Sequence, residues 1–396
     1  MKKIFFLLFL SMILQLKAQE DKINSVIKVI ADTEHHYAPD KRTAVWEVSA
    51  NELNGVVTLT GETNIKAAKK HLLENLKTMN VPLKDEIQTL PAKDLGENIY
   101  GIVNLSVANI RTEPEDRAEL ASQSLLGTCV RILKKIPGYY LIQTPDQYIG
   151  WMDNDGLVPV NKTAIENWMQ SEKVIFTKEF GFVFATPDIS ENRVSDLAAG
   201  DLVSLESEEN NFYKVKYPDN RIGFIPKSDC EPFKSWLDKR NPTGDDIIST
   251  TKLFLGFPYL WGGTSVKGMD CSGFTKTVYF MNGIVLPRDA SQQVHTGVLV
   301  DTKSGFGNLQ SGDLLFFGFA ATDSTKERIT HVGIYIGNLK FIHSSGMVKI
   351  NSFDKNAPDY SDFRTMHFIR AKRILGSLDK NGITTIKKNK FYFGEM

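Results

Sequence analysis

Cys271, His331 and His343 are the residues whose types and spacing can do chemistry. Cys271 stands in Gly268-Met269-Asp270-Cys271-Ser272-Gly273-Phe274, where a turn residue gives way to small residues and then to an apolar helical face, with Phe274 and Val278 spaced by four. A thiol at a helix start gains from the positive field of the helix, and a nearby imidazolium stabilises the thiolate further. Gly268 supplies a tight entry, while Ser272 and Gly273 leave room around the sulfur. His331 opens the alternating run His331-Val332-Gly333-Ile334-Tyr335-Ile336-Gly337, and twelve residues later His343 sits in Phe341-Ile342-His343-Ser344-Ser345-Gly346. Adjacent antiparallel strands would hold the two imidazoles within hydrogen-bonding reach. His331 is then the base for the thiol, and His343 the group that fixes its tautomer. The chemistry expected is nucleophilic catalysis through a thiol.

Positioning these groups requires a helix for the cysteine and a sheet for the histidines. Thr243-Gly244-Asp245-Asp246 opens a helix with Ile247, Ile248 and Leu253 as its apolar positions, ending before Gly256. Tyr259-Leu260-Trp261-Gly262-Gly263 is turn-rich, and a helix is predicted from Cys271 to about Met281. Residues 314–317 read as a strand, and 332–336 with 340–343 as a hairpin across Gly337-Asn338. This is the α+β arrangement of papain-like folds.

Upstream, residues 20–98 read as a small α+β unit, with strands around Val45-Trp46-Glu47-Val48 and Val56-Val57-Thr58-Leu59-Thr60, and a helix over 65–79 that buries Ala68, Leu72, Leu76 and Met79. Residues 99–165 and 172–235 each carry short strands between turn residues and a Gly-aromatic strand near the end, Ile149-Gly150-Trp151 and Ile222-Gly223-Phe224. Two such copies predict tandem SH3-like β-barrels. The fold class expected is multidomain: a papain-like α+β catalytic domain over 243–376, preceded by two small SH3-like β-barrels and the N-terminal unit. Residues 377–396 form a basic extension, read as a solvated terminus.

Composition narrows the partners. Over 396 residues, Lys+Arg and Asp+Glu balance at 47 each, so no bulk field recruits nucleic acid. Residues 1–19 carry Lys2-Lys3, an apolar run and Lys17-Ala18, the pattern of a signal peptide cut after Ala18. The mature chain is therefore expected outside the cytoplasm, periplasmic or extracellular, with no membrane span and as a monomer. Three cysteines are too few for a disulfide scaffold, and Cys129 and Cys230 read as unpaired buried residues. Glu34-His35-His36 lacks a second ligand cluster and reads as a loop, so no metal and no cofactor is expected.

Residues 243–375 resemble the NlpC-type (NlpC/p60) cell-wall cysteine peptidases over their whole length. The resemblance runs through Tyr259-Leu260-Trp261-Gly262-Gly263, Asp270-Cys271-Ser272-Gly273-Phe274, Leu286-Pro287-Arg288-Asp289-Ala290-Ser291-Gln292-Gln293, Gly312-Asp313-Leu314-Leu315-Phe316-Phe317, His331-Val332-Gly333-Ile334-Tyr335 and Ile342-His343-Ser344-Ser345-Gly346. It implies Cys271 as nucleophile, His331 as base and His343 as the third polar residue; the Cys271 backbone N–H is a candidate oxyanion donor because helix-start amides point at developing charge. SH3-like modules ahead of this domain resemble the γ-D-glutamyl-L-diamino acid endopeptidases, which act on murein peptides with a free N-terminal L-Ala. That resemblance implies Asp270 as the acid binding the substrate amine, with Tyr148 and Glu119 from the first module beside it. Tyr259 and Trp261, by their place before the nucleophile, are expected to line the cleft, and Ser272 and Ser291 are further substrate-binding candidates. The alternatives at this point are a non-catalytic wall-binding protein, or a related thiol amidase or acyltransferase.

Overall fold

A computed structural model describes residues 2–394, of which 2–19 as backbone only. The predicted signal peptide therefore falls largely outside the described side chains. The chain divides into two compact units: residues 1–96 with 133–135, and residues 97–132 with 136–396.

In the first unit, strands Trp46–Leu53 and Val56–Thr63 form an antiparallel hairpin. Its turn is Asn54-Gly55, both with positive φ (54° and 81°), the geometry that matches the twist of paired strands. Helix Lys66–Thr78 buries Ala68, Leu72 and Leu76, as its period predicts. One helix escaped the reading. It spans Lys2–Tyr37, and Val26 and Ile30 from it enter the core against Trp46, Val57 and Leu59. Glu34, His35 and His36 thus lie in the last helical turns rather than in a loop, where the two histidines complement the carbonyl end of the helix.

The second unit holds three large sheets. Strands Tyr100–Val103, Val107–Arg111, Leu120–Leu125, Cys129–Ile136, Tyr139–Gln143, Ile149–Asp153 and Leu157–Val160 make one antiparallel sheet, with Leu120–Leu125 at its edge. Seven further strands between Lys173 and Pro232 make another of the same kind. Cys129 and Cys230 are free and buried, one in each module. Burial raises both thiols, Cys129 to about 12, so they stay neutral and unreactive.

The third sheet runs in the order Val298–Val300, Phe368–Arg373, Leu314–Phe319, Arg328–Gly337, Lys340–Ser345, Met347–Ser352. Helix Cys271–Phe280 packs on it, with Phe274 and Val278 meeting Val332, Ile334 and Ile342. Helix Gly244–Leu253 starts from a capping box between Thr243 and Asp246. Its inward stripe is Ile247, Thr251 and Phe254; Leu253, expected inside, is 46% exposed. Positions 247, 251 and 254 are one helical face, and 253 falls beside it.

Residues 377–396 correct another expectation. They do not form a solvated tail: Thr384–Thr385 pairs with Ile284–Val285, and Phe391 is buried among Tyr100, Ile102, Cys129 and Trp168. The lysines of this segment stay outside while Ile383, Ile386 and Phe391 supply the buried face.

Candidate active site

Asp270 caps the helix that begins at Cys271, accepting from the Gly273 N–H at 2.7 Å. The first N–H groups of a helix have no intrahelical acceptor, so this end concentrates donors around the thiol. The Ser272 and Val332 N–H groups both act on the sulfur in favour of the thiolate. Val332 follows His331 directly, which puts the thiol beside the start of the histidine pair. Gly273 has no room for a side chain: a Cβ there would stand 2.0 Å from the Gly263 carbonyl oxygen.

His331 Nε2 lies 2.6 Å from His343 Nδ1, and His343 Nε2 lies 2.8 Å from Asn351 Oδ1. The three residues occupy adjacent antiparallel strands, with Ile334 opposite Ile342 and His343 opposite Lys349, so they form a diagonal on one face of the sheet. Gly333 makes room for the crossing, since a Cβ there would stand 3.1 Å from His343 Cβ.

The hydrogen bonds fix the proton positions along this diagonal. Asn351 Nδ2 donates to the Asp359 carbonyl at 2.9 Å, which leaves Oδ1 to accept. His343 therefore donates from Nε2 and accepts at Nδ1, His331 donates from Nε2, and the His331 Nδ1 lone pair remains free for the thiol. Asn351 escaped the sequence reading, although its place on the third strand of an alternating meander is a signal that could have found it.

Burial raises Cys271 to about 11, with the Asp270 carboxylate adding to the rise and the Val332 N–H, Arg288 and the Ser272 N–H opposing it. Burial lowers His331 well below the usual imidazole range, and the fields of His343, Arg364 and Lys349 lower it further. His343 falls to about 4, mainly through burial. The resting state is therefore a neutral thiol beside a neutral imidazole. Such a pair can transfer a proton as the sulfur attacks, when negative charge moves to the substrate oxygen.

Asp270, expected to receive the substrate amine, has its carboxylate paired with Arg288 in a fork, Nη1 to Oδ1 at 3.1 Å and Nη2 to Oδ2 at 2.6 Å. Oδ1 also accepts from Gly273 N and from Ser272 Oγ at 3.2 Å, and Oδ2 from Gly262 N at 3.0 Å. Burial works against the Arg288 charge, but the Asp270 carboxylate more than offsets it and holds the guanidinium firmly protonated. Arg288 Nε then reaches Ser122 Oγ, at 3.1 Å, on the first seven-stranded sheet. Arg288, read only as part of a motif, thus ties the nucleophile helix to the neighbouring module.

That module's edge strand, Leu120–Leu125, closes one side of the site. Gln123 Oε1 accepts from Thr264 N and Ser265 Oγ, both at 3.0 Å. Gly262 has φ +79°, and a Cβ there would stand 2.0 Å from the Leu120 carbonyl oxygen, so only glycine allows this approach. Glu119, at the start of the same strand, accepts from Trp261 Nε1 at 2.5 Å. Two predicted substrate-lining residues therefore meet at the mouth, with Trp261 62% exposed. Tyr148 is buried, near enough for its phenol to act on the Arg288 charge. Tyr259 is half-buried, its phenol raised by burial and by the fields of Cys271 and Asp270. Ser291 is half-buried in the short helix Ala290–Gln293, which Gln293 locks to the nucleophile helix by bonds to Ser272 O at 3.1 Å and Thr275 Oγ1 at 2.7 Å.

Comparison with known proteins agrees with this organisation. Residues 256–370 match the NlpC/P60 family, and residues 110–157 match the bacterial dipeptidyl-peptidase Sh3 domain. A γ-D-glutamyl-L-lysine dipeptidyl-peptidase of Bacillus cereus is 33% identical over 251 residues, covering 61% of this chain and 72% of the relative. Dipeptidyl-peptidase 6 of Lysinibacillus sphaericus is 25% identical over 268 residues, 65% of this chain and 93% of that one. The crystal structure of an NlpC/P60 family protein from Bacillus cereus superposes with a TM-score of 0.59 at 29% identity, over 70% of this chain and 99% of the other.

Proposed function

Since the chain belongs to the NlpC/P60 family of cysteine peptidases, we propose that it hydrolyses the amide between γ-D-Glu and a diamino acid in murein peptides carrying a free N-terminal L-Ala. The γ-D-glutamyl-L-lysine dipeptidyl-peptidase activity of the Bacillus cereus relative supports the bond. The observation that carries the substrate restriction is Glu119, a carboxylate from the first SH3-like module that stands at the mouth with one oxygen on Trp261. Its other oxygen has no protein partner among the described residues. An ammonium leaving water needs such a partner, and a carboxylate fixed at one end of the cleft measures peptide length. Asp270 acts from behind, holding Arg288 and the helix start in place, and Tyr148 borders the same region.

In the reaction, His331 Nδ1 takes the proton of Cys271 as the sulfur attacks the γ-carbonyl carbon of D-Glu. The oxyanion rests on the Cys271 N–H at the helix start. The His331 proton then passes to the departing amine of the diamino acid, the C–N bond breaks, and a thioester remains. Water, deprotonated by His331, releases L-Ala-γ-D-Glu and the thiol. His343 and Asn351 hold His331 in the tautomer this sequence needs. The charged and apolar leader over residues 1–19 supports action outside the cytoplasm.

The test offers free and N-acetylated L-Ala-γ-D-Glu-diaminopimelate to the wild type and to Cys271→Ala. Only the free peptide should be cut efficiently, and only by the wild type. Equal rates on the two peptides would remove the amine requirement, and turnover by Cys271→Ala would remove the thiol mechanism.

A further inference from the structure

Arg364 lies in the short helix Asp362–Met366, outside every motif that pointed to the site. Its Nη2 reaches Ser345 Oγ, two residues past His343, through a long contact of 3.5 Å. Its guanidinium stands 5.7 Å from the centre of the Phe317 ring, and that ring is 5.8 Å from the His331 ring. Arg364 therefore stands on the histidine side of the site.

What distinguishes it is the missing counter-ion. Arg288 has Asp270, Arg370 has Glu327 and Arg373 has Asp313. Among the described residues no carboxylate pairs with Arg364, and the acidic groups that act on it are Cys271 and Tyr259. Asp362, on the same short helix, bonds to the Tyr360 hydroxyl at 3.2 Å, and Asp359 pairs through Oδ2 with Lys340 at 3.0 Å. Lys349, whose field also reaches both histidines, makes this side more positive still. A half-desolvated guanidinium without a counter-ion is unfavourable, and the ligand that fits its planar fork is a carboxylate.

Substrate polarity identifies the carboxylate. His331 must hand its proton to the departing amine, so the leaving residue lies on the histidine side, while D-Glu and L-Ala extend toward Asp270 and Glu119. Resting on the function proposed above, we propose that Arg364 binds a carboxylate of the leaving diamino acid. Two carboxylates have this chemistry: the side-chain group of diaminopimelate, and the terminal group of any tripeptide. If the first is bound, the enzyme prefers diaminopimelate to lysine, which keeps the side-chain ammonium but lacks the carboxylate.

The test measures kcat/KM for wild type, Arg364→Ala and Arg364→Lys on four peptides: L-Ala-γ-D-Glu-diaminopimelate, its side-chain amide, L-Ala-γ-D-Glu-L-Lys, and the C-terminal amide of the lysine peptide. Losing a charge-assisted fork should lower kcat/KM about 10- to 100-fold on peptides that carry the bound carboxylate. The loss should vanish on the amide that lacks it, and that amide names the source. Arg364→Lys should recover part of the loss. Equal loss on all four peptides, or none, overturns the assignment. A wild type inactive on all four would sink the substrate reading and this assignment together, whereas active variants without discrimination sink the assignment alone.

Discussion

Asn351→Ala removes a side chain that touches neither the thiol nor, in the mechanism above, the substrate. It deletes the acceptor 2.8 Å from His343 Nε2 and leaves that N–H without a protein partner. His343 is only 1% exposed, so water cannot readily replace the lost bond. An unsatisfied buried donor costs about 1–3 kcal/mol. The pair can escape by moving the His343 proton to Nδ1, which turns the 2.6 Å contact around. His331 must then accept at Nε2 and carry its proton on Nδ1, facing the thiol it should deprotonate. Whether the tautomer shifts or the strained one persists, kcat/KM should fall about 10- to 100-fold, at about 1.4 kcal/mol per decade. Asn351→Asp keeps an acceptor and adds a negative charge, which raises the imidazoles. Because His331 acts as free base, wild-type activity should decline only below the usual imidazole range, as pH falls through its lowered pKa. Asn351→Asp should keep more activity than Asn351→Ala and move this acid limb to higher pH. The assay is kcat/KM from pH 4.5 to 9, with the alkylation rate of Cys271 by iodoacetamide as a substrate-free measure. An Asn351→Ala enzyme with unchanged kcat/KM and an unchanged acid limb would refute the relay.

Two further outcomes follow from buried charge. Arg288→Ala strands the Asp270 carboxylate, and breaking a buried pair from one side costs about 3–5 kcal/mol; the melting temperature should drop and turnover should be lost, with Arg288→Lys intermediate, and a variant melting like the wild type would contradict the pairing. His343 has a folded pKa of about 4, below its unfolded value, so its contribution to stability is complete above pH 6.5 and is lost as pH falls from there toward 4. The loss is about 3 kcal/mol for a shift of this size, and the melting temperatures of wild type and His343→Gln should converge on acidification; curves that stay parallel between pH 7.5 and 4.5 would exclude it.

The residues that build the nucleophile are local in sequence, and for that reason they were legible. Asp270 caps the helix whose first residue is Cys271, and small residues follow because Gly263 approaches within van der Waals contact. The alternating runs holding His331 and His343 made a hairpin, whose register brings the imidazoles together. Capping, periodicity and turn chemistry act over a few residues, so a linear string contains them. The partners that finish the site do not share this property. Asn351 joins only because a third strand adds its diagonal; Arg288 and Arg364 arrive from two separate segments. The donors that converge on Asp270 are invisible until those segments meet, since no pattern says how many donors reach an oxygen. Phe391, likewise, read as part of a solvated end because the hydrophobic pocket that takes it is built from residues near 100, 129 and 168. Sequence alone determined which groups react and on which elements they stand. Tertiary structure decided their proton positions, their counter-ions and which charge was left over for a ligand, because those depend on side chains brought together from far along the chain.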